Sequence, residues 1–331
     1  MVTRSAVVHR GPEVHQHHGL APGTDHEIDG IAFRTLPDLG ERLCTFATVN
    51  DVHFGEVECG LIEGMPDAGE VFRSAPGEPP YPQTMNRGAA AEIAAVDPAL
   101  VVVKGDLTSN GLQEEYDEFL DVYGTAFGDR LLHVRGNHES YHDLLVASEA
   151  VQQRTLPGVT VVLLDTSVSQ REYGAVSAAQ LDQLDAIAAD ADRPVLVMGH
   201  HHAWNPGSAE RPERYFGIQP EDSERLVDLV ARRPSIIGVF AGHTHRNRVR
   251  HFAATGAVPW VEVSAVKDYP GAWAEYRVHE AGIAQVFHRV SSPEALAWTE
   301  RTRGMFHGLY ASYAFGAIDD RCFVMPSERA A

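Results

Sequence analysis

The sequence predicts an α/β protein with a largely internal sheet, and three observations carry this. Short apolar runs alternate with segments of helical period along the chain. Five of those runs end in a polar motif built from Gly, Asp, Asn or His. The 331 residues are 44% hydrophobic and 22% charged, an ordinary globular balance in a chain long enough to bury a large core.

The elements follow in order. Residues 1–30 are a polar, Gly- and Pro-containing leader without periodicity, expected to be a mobile surface segment; a metal-storage tract is the other reading of its His9, His15, His17, His18 and His26. Runs 31–36 and 42–49 read as a strand pair joined by the turn-like Pro37-Asp38-Leu39-Gly40. Residues 56–82 form a polar loop long enough to suggest function. A helix over 84–95 precedes the apolar run 100–103, and residues 113–123 set Tyr116, Phe119, Leu120 and Tyr123 at helical spacing. Strands are expected at 131–134 and 159–164. A helix over 177–189 opens on Ser177 with Gln180 three residues on, a capping-box pattern. Strands at 195–198, 236–240 and 260–266 complete the set. With no repeat and no clear linker, the chain divides most simply into a leader (1–30), one catalytic domain (31–290) and a C-terminal appendage (291–331).

Charge narrows the partners. With 46 acidic against 27 basic residues, the formal charge is −19. That field repels nucleic acid and anionic membrane, although metal charge can invert it inside a site. Neither a signal-peptide core nor an ~18-residue apolar run is found, so a soluble, cytoplasmic protein is expected. Cys44, Cys59 and Cys322 are scattered and form no C-x-x-C pair, which fits a reduced compartment.

The chemistry lies in the strand-end motifs. In order these are Asp51-x-His53, Gly105-Asp106, Gly136-Asn137-His138-Glu139, Gly199-His200-His201-His202 and Gly242-His243-x-His245. The carboxyl ends of strands in open α/β sheets face the ligand crevice, so all five should converge on one edge. Singly each is weak; jointly and in order they are not. Carboxylate and imidazole donors suit borderline and hard metals, and thiolate motifs are absent. One Asp can bridge two ions, and two ions can hold the attacking and leaving oxygens of a displacement while acidifying a bound water.

This ordered set resembles the calcineurin-like metallophosphoesterase superfamily, from Asp51 to His245. The resemblance implies a double β-sandwich flanked by helices, a four-layer α/β/β/α arrangement with a dinuclear site at the strand ends. It implies that Asp51, His53 and His245 bind one metal and Asn137, His200 and His243 the other. Asp106 bridges both, and His138 stands near the leaving-group oxygen. Three departures mark this chain: Asn50 replaces the usual Ser, Glu139 replaces Asp, and Ala203 follows the histidines where Pro is expected. His201 is the alternative to His200 as ligand, and His202 is expected to wall the pocket.

Residues 105–111 with Glu115, Tyr116 and Phe119, and residues 164–168 with Tyr173, Gly174, Gln180 and Leu181, resemble class III cyclic nucleotide phosphodiesterases. The expected reaction is hydrolysis of a phosphodiester, a 3',5'-cyclic nucleotide in the sharpest version, by metal-activated hydroxide. A phosphomonoesterase acting on nucleotides or sugar phosphates is the alternative, and a non-catalytic scaffold the more distant one. The expected cofactors are two metal ions, Fe or Mn or both, with Zn as an alternative. The expected partner is a small phosphate ester, with no nucleic acid or membrane. The aromatic tail holding Trp298, Phe306, Tyr310, Tyr313 and Phe315 should pack in the core, in a homodimer contact or as a lid over the site.

Overall fold

The structure is a computed structural model and describes residues 2–62, 64–65 and 67–327. Residues 63 and 66 of the expected loop, residues 328–331 of the expected tail and residue 1 lie outside the described residues. In chain order the strands are β1 (Ser5–Arg10), β2 (Glu13–His18), β3 (Asp25–Ile28), β4 (Ile31–Arg34), β5 (Arg42–Val49), β6 (Val101–Lys104), β7 (Leu131–Val134) and β8 (Val151–Leu156). There follow β9 (Val159–Leu164), β10 (Val195–Gly199), β11 (Ile236–Ala241), β12 (Arg248–His251), β13 (Pro259–Glu262), β14 (Ala272–His279), β15 (Gly282–Arg289) and β16 (Phe323–Pro326).

Two six-stranded sheets stack face to face, ordered β12-β13-β11-β10-β9-β8 and β16-β15-β14-β5-β6-β7. The strands that carry motifs are parallel neighbours: β5 with β6, β6 with β7, and β10 with β11. Their carboxyl ends therefore share an edge. Alternation then sorts side chains between layers. Val102 of β6 enters the core between the sheets, while Val101 and Val103 face the helices. On β9, Val159, Val161 and Leu163 point inward and Val162 and Leu164 outward. Each such buried side chain contributes roughly 1.5–3 kcal/mol. Helices Tyr81–Ala95 and Pro293–Thr302 cover one sheet and Ala178–Ala189 and Pro220–Arg232 the other, through Met85, Ile93, Trp298, Leu184, Leu226 and Val230. The result is the four-layer double sandwich.

Several elements differ from expectation. Within residues 1–30, expected to be irregular, β1 and β2 form a hairpin, and β3 pairs with β4 across Asp29-Gly30. Both turn residues have positive φ, 56° and 75°, as a type I′ turn requires. The polar strands gave little alternation to read. Consequently β4 is not the partner of β5. The latter, buried on both faces from Thr45 onward, sits between β14 and β6 and needs full neighbours on each side. The helix expected over 113–123 is α-helical over Gln113–Phe119, widens to a π turn over Leu120–Gly124 and closes with Thr125–Phe127. The last expected strand stops at Glu262.

The described part of the C-terminal segment, residues 291–327, packs against the sandwich. Trp298 stacks on Tyr81 at 4.2 Å and donates its indole N–H to the Lys267 carbonyl, and β16 pairs with β15 as a sheet edge. The 56–82 loop interlocks with it, since Arg301 donates to the Arg73 carbonyl. Among the described residues no helix is long and apolar enough to cross a membrane.

Candidate metal centre

All seven residues expected as metal ligands come together at the shared strand edge. Asp51 and His53 follow β5, Asp106 follows β6, Asn137 opens a helical turn after β7, His200 follows β10, and His243 and His245 follow β11. The chain must turn sharply at each strand end to aim a side chain back over the sheet. Asp51, His53, Asp106, His243 and His245 all do so with positive φ, between 47° and 67°. Such conformations cost of order 1–3 kcal/mol each for a non-glycine residue. Gly105, with φ of 89°, leaves the space His200 needs: a Cβ there would lie 2.4 Å from the His200 Nδ1.

Two donor clusters result. One joins Asp51, His53, Asp106 and His245, and the other His200, His201 and His243; within each, ligand atoms lie within 4.8 Å of one another. Asp106 Oδ2 stands between them, 3.5 Å from His53 Nε2 and 3.3 Å from His200 Nε2. His200 Nε2 is also 3.0 Å from Asn137 Oδ1, and His245 Nε2 is 3.6 Å from Asp51 Oδ1. Two ligands about 2.1 Å from one ion, roughly 90–110° apart, sit about 3.0–3.4 Å from each other, so these spacings fit shared ions. Orphaned atoms point the same way. Both ring nitrogens of His53 and the Nε2 atoms of His201 and His243 are buried without a hydrogen-bond partner. Each would cost about 1–3 kcal/mol if left so. The residues fit a pair of metal ions.

Electrostatics agree with that fit. Burial, then neighbouring cationic or imidazole groups, hold His53, His201, His243 and His245 well below the usual histidine range, which keeps their lone pairs free. His200 is the exception. Burial pulls it down, but the Asp106 carboxylate, its hydrogen bond and Asp51 raise it to about 9. Its Nδ1 faces the Lys104 carbonyl at 2.8 Å and its Nε2 faces oxygens, so both nitrogens suit N–H. Burial, with the Asp106 charge adding to it, pushes Asp51 up to about 6.

His138 lies at the rim, its side chain 28% exposed and its Nε2 4.0 Å from Asp106 Oδ2. Glu139, the departure that follows His138 in the chain, does not reach its ring. Glu139 accepts the Thr108 N–H, the Thr108 hydroxyl and the Gly136 N–H, tying two ligand loops together, while His138 Nδ1 meets the Ser109 carbonyl at 2.6 Å. His202 is buried against Tyr215 and Phe216. Four residues at the site escaped the sequence. Phe216, 54% exposed, stacks on His243 at 4.0 Å. Tyr141 receives the Asn137 amide at 3.0 Å. Lys267 binds Glu56 at 2.6 Å, and Asp268 sits 3.9 Å behind His245 Nδ1. None carried a signal beyond its residue type.

Comparison with known proteins decides the family. The calcineurin-like phosphoesterase family model matches residues 44–247, more than half of the chain. This chain belongs to that family. Members use a dinuclear metal site, which accounts for the paired clusters above. Glycerophosphodiester phosphodiesterase GpdQ of Enterobacter lignolyticus is 30% identical over 45% of this chain and 56% of its own length. A probable cyclic nucleotide phosphodiesterase of Rhodococcus erythropolis is 26% identical over 47% and 54%. The chain thus spans about half the length of these curated relatives. A dimetal phosphatase from Danio rerio shares the fold, with a TM-score of 0.59 at 17% identity, covering 76% of this chain and 97% of that one.

Metal uptake by this calcineurin-like site should be proton-coupled. Against the pull of burial, the Asp106 carboxylate raises His200 to about 9, so an ion binding at its Nε2 would displace a proton. The apparent Mn²⁺ affinity should therefore rise as pH increases from 7 to 8.5, by up to about tenfold per unit. Titration calorimetry in two buffers of different ionisation enthalpy should also count a released proton. An affinity flat over that interval would contradict the assignment of His200.

Proposed function

We propose that this chain is a metal-dependent hydrolase of phosphodiesters. The observation that carries the reading is Asp106 Oδ2 standing between two donor clusters, with His138 at the open side. In this reading Asp51, His53 and His245 hold the first ion, Asn137, His200 and His243 the second, and Asp106 both. Bound ions supply Lewis acidity towards phosphoryl oxygens and lower the pKa of water; iron and manganese suit the mixed carboxylate and imidazole donors.

The chain's own residues do the rest. Asp51 is oriented by the Asn50 amide and by the His243 N–H at 2.9 Å. His138 donates Nδ1–H to the Ser109 carbonyl, leaving Nε2 to carry a proton to the departing alkoxide. Two features favour a diester. Three cations flanking the ligand loops are already paired: Lys267 with Glu56, Arg246 with Glu262 and Arg135 with Asp165; Arg248 is left exposed. A dianionic terminal phosphate would want a free one. The names of the relatives also cover glycerophosphodiester and cyclic nucleotide substrates, both diesters. The exposed face of Phe216 supports a planar organic group, and so the cyclic nucleotide.

A substrate panel tests this. With Mn²⁺, and separately with Fe²⁺, bis-p-nitrophenyl phosphate and 3',5'-cyclic AMP should turn over faster than p-nitrophenyl phosphate at equal concentration, with AMP as the product from cyclic AMP. Turnover of monoesters alone would overturn the diester reading.

The role of His138 is tested separately. His138→Ala should retain both ions and lose about 10²–10⁴-fold in rate on an alkoxide leaving group. The loss should be visibly smaller with p-nitrophenolate, which departs without a proton. Equal losses would assign His138 to phosphate orientation, and loss of metal would make it a ligand.

A further inference from the structure

The second of the two donor clusters holds one imidazole more than the proposed ligand set uses. His201 is buried, 2% exposed, with its ring centroid 4.8 Å from that of His200 and 4.6 Å from that of His243. The donor atoms of all three lie within 4.8 Å of one another. Its ring is fixed from two sides. Thr166 Oγ1 lies 2.8 Å from Nδ1 and accepts the His201 backbone N–H at 3.1 Å. Gly174 packs so closely that a Cβ there would sit 2.5 Å from His201 Cγ. A hydroxyl oxygen has two lone pairs and can accept both N–H groups. In the tautomer that donates Nδ1–H to Thr166, the Nε2 lone pair is free, and Nε2 is buried without a partner. The Glu172 carbonyl also faces the ring closely enough to favour its protonated form, while Nε2 meets no partner in hydrogen-bonding geometry.

We infer that His201 is a third imidazole ligand of the second metal position, which makes that position nitrogen-rich and selective for a borderline ion such as Zn²⁺ over a harder one such as Mn²⁺. The inference rests on His200 and His243 holding the second ion. The clusters differ in kind. The first offers two carboxylates and two imidazoles, the second three imidazoles beside the shared Asp106 and the Asn137 amide oxygen. Imidazole suits Zn²⁺ and Fe²⁺, whereas carboxylate-rich sets suit Mn²⁺ and Mg²⁺. The two positions should therefore fill with different ions when both metals are offered.

Competitive titration of the metal-free, full-length protein with Zn²⁺ and Mn²⁺ tests this, together with the visible absorption spectrum of the Co²⁺-loaded form. His201→Ala should lower Zn²⁺ affinity at one of the two positions by at least about tenfold, the scale that even a lost outer-shell partner costs. Mn²⁺ affinity should fall less, and the Co²⁺ band should shift. Thr166→Val keeps the imidazole but frees its tautomer, so it should move the same readouts by less; it carries the test if His201→Ala fails to fold. Unchanged Zn²⁺ affinity and an unchanged Co²⁺ band in a folded His201 variant would overturn the inference. His200→Ala separates the two levels. Loss of an ion there without any effect at His201 sinks the third ligand alone, while no effect at either sinks the dinuclear reading itself.

Discussion

Two carboxylates, Asp51 and Asp106, are held side by side and almost without solvent, at 0% and 2% exposure. Like charges in such surroundings cannot both ionise without compensation. The chain's own groups supply part of that compensation: Asp106 and Asp51 raise His200 against the pull of burial, and burial pushes Asp51 upward. Two metal ions would satisfy the same carboxylates and the buried lone pairs of His53, His201 and His243 at once. The glycines, the left-handed turns and the buried polar staples around the site serve that concentration of donors.

The fold makes the concentration possible by delivering strand ends in parallel. Because β5, β6 and β7 run side by side in one sheet and β10 and β11 in the other, five loops meet at one edge. Contacts among the chain's own residues pin several of these loops. Glu139 links the loop after β6 to the one after β7, and Thr166 fixes the loop after β10. Behind His245, the half-buried Glu56 and the buried Lys267 and Asp268 join the 56–82 loop to the C-terminal segment, where Tyr310 donates to Asp268 at 2.8 Å. The backbone strain at the clustered Asp and His residues persists because these contacts over-determine it.

What the sequence disclosed follows from the range of each interaction. Apolar runs such as 159–164 are local, so their strands stand where expected, and the motifs after them met because strand direction fixes where a strand ends. Partner choice is not local. Nothing in residues 31–49 says that β5 takes β14 as a neighbour, more than 220 positions away, and leaves β4 to β3. Side-chain direction was equally hidden. Glu139 follows His138 in the chain but turns towards Thr108, because three inward N–H and O–H donors hold it there. Phe216 lies in a polar stretch with no period, and only the packed loop sets it on His243.

The central claim is that Asp106 is the shared centre of a two-ion site. Metal analysis of an Asp106→Ala protein after equilibration with Mn²⁺ or Zn²⁺ and desalting tests it most directly, with a His9→Ala protein as the reference. The account predicts two ions per chain in the wild-type and His9→Ala proteins, and none retained in Asp106→Ala. Two tightly held ions in the Asp106→Ala protein would contradict it.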